Sequence, residues 1–192
     1  MNLRRRVLDV LGVVLGAAMI AALVHIAAIL IIPLYATRDA FARLKPLGPI
    51  NATVLLEQPG PRARLLPFRD PAVASAFCRF DLTRGPLRVR APVDDSDFAS
   101  LSFHSRRGGI FYAITDRAAT HGALEALVVT EGQLRALQAR DDEDTPVQDL
   151  RVVSTAAEGF VMIRAFSEQP SLYPRAESEA RALTCATEAL PR

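Results

Sequence analysis

The sequence predicts a mainly β, α+β body carried behind an N-terminal transmembrane helix. Three observations lead there. Residues 10–37 contain no Asp, Glu, Lys or Arg. From Ala74 onward, apolar and polar side chains alternate with a period near two, as in half-buried strands. Two such runs, 98–105 and 110–115, flank Arg106-Arg107-Gly108-Gly109, a strong hairpin signal. The 192 residues are 50% hydrophobic and 23% charged, which excludes collagen, coiled coils, disulfide scaffolds and disordered tails. The 23 basic and 21 acidic side chains leave a net charge of +2 without a basic stripe, so nucleic acid is not an expected partner.

Residues 1–9 read as a cytoplasmic tail and 10–35 as the membrane helix. Positions 10–32 hold thirteen Val, Leu or Ile, six Ala, two Gly, Met19 and His25. At ~1.5 Å per residue they extend about 34 Å, enough to cross a ~30 Å hydrocarbon layer. Each Leu, Ile or Val favours insertion by roughly 0.3–0.6 kcal/mol, which together outweighs one imidazole. Pro33 marks where the helix can end or bend. A cleaved signal peptide is the competing reading, but its apolar region spans only ~7–15 residues. The longer run predicts an uncleaved anchor.

Arg4, Arg5 and Arg6 stand tight against the apolar run, whereas Arg38, Arg43 and Lys45 are spread beyond it. Residues 10–192 carry 20 basic and 20 acidic side chains, so the net charge sits in the first nine residues. Long domains translocate largely regardless of charge. The expected topology is an N-terminus in the cytoplasm and a periplasmic C-terminal body at the bacterial inner membrane. Arg outnumbers Lys 22 to 1, the composition of a GC-rich genome. His25 is costly in lipid; the simpler account of it is a neutral imidazole hydrogen-bonded to another helix. Ala18, Ala22 and His25 share a helical face, and Gly12 and Gly16 form a small-xxx-small pair, a candidate packing surface between membrane helices.

Residues 37–44 read as a short amphipathic helix with Ala40, Phe41 and Leu44 apolar. Six prolines between Pro46 and Pro71 disfavour long regular elements. Residues 36–66 are therefore expected to form a Pro-rich juxtamembrane connector, with one short strand at 52–56, ahead of a β-rich extracytoplasmic domain at 67–192. In that domain, strands are predicted at 73–82, 87–91, 98–105, 110–115 and 124–129. If Gly108 and Gly109 form the turn, Phe103 faces Ile114 and Ser105 faces Tyr112. Leu101, Phe103, Tyr112 and Ile114 then share one face, and Ser100, Ser102, His104, Ala113 and Thr115 the other, with Phe111 the exception. Thr130 and Gln133 satisfy the capping-box pattern for a helix to about 139 that buries Leu134 and Leu137. Residues 150–154 and 160–166 read as a second hairpin, and 174–187 as a closing helix carrying Cys185.

Phe80-Asp81-Leu82-Thr83-Arg84-Gly85-Pro86, then Ala91-Pro92, then the stretch from Phe98 to Arg117, resembles the bacterial domain of unknown function 1254. That family's pattern is a strand ending Asp-Leu-x-x-Gly-Pro, a second strand ending in proline, and an aromatic-rich hairpin. The match covers about 67–133, with the short, membrane-anchored branch of the family similar over the full length. The resemblance implies a β-sandwich-like body. It also implies a partner, a second small membrane protein resembling domain of unknown function 1214, because larger members carry that module in the same chain. It transfers no catalytic residue.

Chemistry-bearing residues are few. Cys78 and Cys185 form an even pair, which in an oxidising compartment favours a disulfide; the alternative is two buried thiols. The acidic groups Asp94-Asp95-Ser96-Asp97 and Asp141-Asp142-Glu143-Asp144 lack the Gly and terminal Glu of a calcium loop and read as solvated loops. His104, Asp116, Arg117 and His121 are the only cluster resembling a catalytic set. The hairpin register puts His104 roughly 10 Å from Asp116, beyond acid–base reach. Ser102 and Ser105 lack a nucleophile elbow. No phosphate loop, dinucleotide fingerprint or zinc-ligand spacing occurs, so neither cofactor nor metal is expected.

The sequence specifies no reaction. It points to a single-pass inner-membrane protein whose periplasmic domain is a protein-interaction or envelope-structural module, with the lipid bilayer as one partner. The alternative is a membrane-tethered enzyme or small-ligand-binding protein using a polar site near His104 and Asp116.

Overall fold

The structure, a computed structural model, describes residues 2–35, 39–63, 65–94, 98–107, 109–141 and 149–189. The chain divides into two units, Met1–Arg38 and Asp39–Arg192. The first is one helix, α1 (Asn2–Tyr35), whose 34 residues extend about 51 Å at ~1.5 Å each. Its stretch Arg4–Ile32 is long and apolar enough to cross a membrane. The helix starts eight residues before the apolar run, because Leu and Arg are good helix formers that propagate the ladder beyond it. Ala18, Ala22 and His25 are exposed along the same helix.

The second unit begins at Asp39, not at residue 67. Asp39 caps α2 (Ala40–Leu44) by accepting from the Ala42 amide at 2.8 Å. The segment expected as a connector contributes Phe41, Leu44 and Leu56 to a buried cluster with Phe77, Phe160 and Met162. Its prolines shorten the elements without preventing their apolar side chains from being buried. The strand in it, β1 (Thr53–Leu56), pairs with β2 (Val73–Asp81). Residues 36–38 and Arg64 lie outside the described residues.

Seven further strands follow: β3 (Leu87–Pro92), β4 (Ala99–Ser105), β5 (Ile110–Thr115), β6 (Ala123–Val129), β7 (Arg151–Val153), β8 (Glu158–Phe166) and β9 (Thr184–Thr187). One sheet has the order β1-β2-β8-β4-β5, all antiparallel; the other is β7-β6-β3-β9, with β6 and β7 parallel. Alternate residues such as Ala76, Cys78, Leu101, Phe103 and Ile163 meet Leu87, Val89, Leu124 and Val128 in the main core between the sheets. This is the sandwich arrangement, with apolar inner faces interdigitating. The opposite face of the five-stranded sheet is not left to water, because α2 and the side chains of Leu65 and Leu66 pack onto it.

In the turn after β2, Asp81, Leu82 and Gly85 each have a structural role. Asp81 accepts from the Thr83 amide at 3.0 Å and its hydroxyl at 2.6 Å, and Leu82 is buried. Gly85 has φ of 137°, where a side chain would be strained and would strike the Glu188 carbonyl.

Four expectations need correction. The hairpin pairs Phe103 with Tyr112 and Leu101 with Ile114, two residues from the expected register. The connection is longer than a two-residue turn, closed by Ser105 N–H to the Gly109 carbonyl at 2.9 Å; Gly108 lies outside the described residues. An even shift keeps both faces. A bulge between Phe103 and His104 then leaves Phe111 unpaired and packed against the core, its ring 6.3 Å from Phe103.

Residues 150–166 form no hairpin. β7 returns beside β6 through α3 (Glu131–Gln138), while β8 enters the other sheet between β2 and β4. β8 is apolar on both faces, and a central strand of a sheet covered on both sides buries both. The capping box at Thr130 and Gln133 is present, but α3 fully buries no residue; Leu134 and Leu137 are half-buried. The closing helix α4 (Tyr173–Arg181) stops short of Cys185. Beyond its cap at Ala182 the chain becomes β9, because Thr184 and Thr187 favour a strand and the edge of β3 offers unpaired backbone groups.

The first and last strands of the body are tied at their ends. Asn51 donates to the Thr187 hydroxyl at 2.7 Å, and the Thr53 hydroxyl donates to the Leu183 carbonyl at 2.6 Å.

Candidate functional site

Cys78 on β2 and Cys185 on β9 are disulfide-bonded, with Cα atoms 6.6 Å apart and a sequence separation of 107. The bond crosses the main core and ties one sheet to the other.

The predicted polar set does not assemble. His104 lies opposite Ile110, at the start of β5, whereas Asp116 follows the end of that strand in a 3-10 turn, Asp116–Ala118. Six residues of strand separate the two positions by about 20 Å. One Asp116 carboxylate oxygen is buried without a hydrogen-bond partner, while Arg117 and His121 are exposed. Asp94 and Asp141 pair with Arg175 and Arg151; Asp95–Asp97 and Asp142–Asp144 lie outside the described residues. Among the described residues no group of three His, Cys, Asp or Glu could hold a metal.

His104 instead meets other partners on the outer face of the five-stranded sheet. Alternation along β4 sends Ser102 and His104 outward beside Phe160, Met162 and Arg164 of β8. Gly159 permits this close packing, since a Cβ there would collide with the His104 carbonyl and the Phe80 ring. The imidazole stacks on Phe160 with centroids 4.4 Å apart and planes 10° from parallel. Its Nε2 is 3.0 Å from Ser102 Oγ, which accepts from Arg164 Nη1 at 3.1 Å and lies 3.3 Å from the Met162 carbonyl. The oxygen is thus engaged from three directions, by the imidazole, the guanidinium and the Met162 carbonyl. Ser102 and His104 are only 3% and 6% exposed. A serine nucleophile needs an accessible oxygen facing oxyanion donors; Ser102 is an internal strut that orients Arg164.

Arg164 lines a cleft of about 400 Å³ bounded by α2, residues 66–70 and the sheet face. Arg69 enters the same cleft from the covering segment, and its Nη2 is buried without a hydrogen-bond partner. Burial pushes both guanidinium groups below their ordinary pKa, partly offset at Arg69 by the Tyr173 phenol. Neither arginine has a carboxylate within ion-pair distance among the described residues. The sequence reading missed both. A usable signal was present in Arg164, the one charge in the apolar run 159–166. Arg69 gave none, because its role depends on where a proline-rich segment lands. A second cleft, about 900 Å³, runs between β1 and residues 57–65 and is mainly apolar.

No family model matches the sequence, and no curated protein is similar to it. Among solved structures, the VPA0106 protein from Vibrio parahaemolyticus is similar with a TM-score of 0.53 and 11% identity, over 80% of this chain and 37% of that one. A putative uncharacterized protein from Burkholderia cenocepacia is similar at a TM-score of 0.47 and 13% identity, over 82% of this chain and 41% of that one. The first similarity shows a shared fold. The chain spans less than half the length of either structure.

Proposed function

We propose that this chain is a single-pass protein of the bacterial inner membrane that keeps its N-terminus in the cytoplasm and presents its β-sandwich to the periplasm as a binding module. The observation that carries this reading is the Cys78–Cys185 bond in a body that follows a membrane-length apolar helix. Disulfides persist on the oxidising side of a membrane. Arg4, Arg5 and Arg6 ahead of the apolar run favour the same orientation. The 23 residues of 10–32, which include no charged side chain, exceed the ~7–15 apolar residues of a cleaved leader, which supports a retained anchor.

We place the body with domain of unknown function 1254, supported by the backbone roles of Asp81, Leu82 and Gly85 in the motif turn. Its partner in this reading is a second small membrane protein similar to domain of unknown function 1214. The Vibrio parahaemolyticus structure fits a module working beside another, because the shared fold is 37% of that chain.

Reporter fusions at the C-terminal end test the topology. Alkaline phosphatase is expected to be active and green fluorescent protein dark; the reverse overturns the orientation. Intact mass of the membrane-extracted protein is expected to include residues 1–36, and a mature chain starting beyond Ala36 removes the anchor. Extraction in mild detergent is expected to bring a second protein at constant ratio, and a lone chain under every gentle condition overturns the interaction role.

A further inference from the structure

We propose that the cleft between Arg69 and Arg164 binds a small organic carboxylate with an apolar body. The inference does not depend on which side of a membrane the body occupies.

Charge comes first. Two arginines line one cleft, and neither has an acidic partner among the described residues. The only carboxylate in the lining is Asp70, which is exposed and accepts from the Ala72 amide at 2.8 Å. Lone buried cations are rare unless something pairs with them. Arg164 commits one of its five N–H donors, to Ser102, and that bond holds the guanidinium plane in place. Ser75 stands opposite Arg164 in the strand register, lines the same cleft and is only 6% exposed. Arg69 lines the cleft from the covering segment and also borders the larger cleft beside β1. The cleft thus sets two guanidinium groups along a largely apolar wall.

Shape and apolar surface narrow the class. A volume of about 400 Å³ falls within the range of small-molecule sites. The remaining walls come mainly from Leu66, Val73, Phe160 and Met162, which would cover a hydrocarbon or aromatic body rather than a second charged group. A guanidinium fork held in one orientation matches the two oxygens of a carboxylate. A fully ionised phosphate, by contrast, would bring extra charge against apolar walls.

The test uses the full chain in zwitterionic detergent micelles with carbon-13 in the methionine methyl groups. Met162 lines the cleft, and the other two methionines, Met1 and Met19, belong to the N-terminal unit. Benzoate is expected to shift the Met162 methyl signal saturably and to leave Met1 and Met19 unmoved. The neutral isostere benzamide and inorganic phosphate are expected to have no such effect. Arg164→Gln and, independently, Arg69→Gln should each weaken benzoate binding at least about tenfold. Arg106→Gln, on the exposed hairpin loop, should leave it unchanged. Arg69 sits in the covering segment rather than in a strand, so its variant keeps the test decisive if Arg164→Gln unfolds. Absence of any Met162 response, an equal response to benzamide, a response to phosphate alone, or full binding by Arg69→Gln overturns the proposal.

Discussion

Removing the covalent tie between the sheets is expected to lower the melting temperature of the body by about 10–20 °C. Cys78 and Cys185 are separated by 107 residues. Cross-linking a loop of that length restricts the unfolded chain by an entropy of about 2.1 + 1.5R ln n, which gives about 4.8 kcal/mol at 25 °C. For a body of 154 residues, Asp39–Arg192, each kcal/mol corresponds to about 2–4 °C. Calorimetry of the full chain, oxidised and reduced, reads this difference directly. The Cys78→Ala/Cys185→Ala double variant supplies the same comparison without reductant. Alanine is preferred to serine at residue 78, where the side chain is fully buried and a hydroxyl would lack partners. A shift below about 3 °C, with the oxidised state verified by mass, would mean that the bond does not restrain the unfolded chain over that span, and the reasoning would fail.

Two further outcomes follow from the geometry. Arg88 grips Asp149 at 2.6 and 3.1 Å, and these hydrogen bonds hold the Asp149 carboxyl below the usual aspartate range. A depressed folded value makes the contribution complete above the unfolded value of about 3.9 and lost as pH falls through the folded one. Asp149 is 40% exposed, so the advantage of the parent over Asp149→Asn should stay under about 1 kcal/mol at pH 7. It should shrink as pH falls below the unfolded value of about 3.9 in urea titrations, and a gap that widens with acid would contradict the assignment. Gly159→Ala should destabilise by about 1–3 kcal/mol, because the added methyl meets the His104 carbonyl and the Phe80 ring. An unchanged urea midpoint would show that β8 and β4 do not approach that closely.

Local order was legible in the sequence, and long-range pairing was not. Apart from Phe111 at the bulge, the faces of β4 and β5 follow from alternation, and the start of α3 follows from Thr130 and Gln133, so neither depends on distant chain. β8 defeats the same logic. With Phe160, Val161, Met162 and Ile163 all buried, it shows no period, and its place between β2 and β4 is set by residues more than fifty positions away. β9 shows the same difficulty from the other side. Helical alanines at 180 and 182 run on toward Cys185, and only the open edge of β3 makes Thr184–Thr187 a strand. For the candidate site, the hairpin marked His104 and Ser102 as polar-face residues. The cleft itself is made by residues 66–70 folding back over the sheet, a tertiary event that no local pattern announces.

The bonds from Asn51 to Thr187 and from Thr53 to Leu183 bring the two extremities of the sandwich to one spot. Rejoining them with a short linker and reopening the chain in the exposed connection between β4 and β5 would give a circular permutant that retains each pairing in the two sheets. Such a molecule would begin at a surface loop and carry no obligatory link to the apolar helix, so the sandwich would become available for study free of detergent.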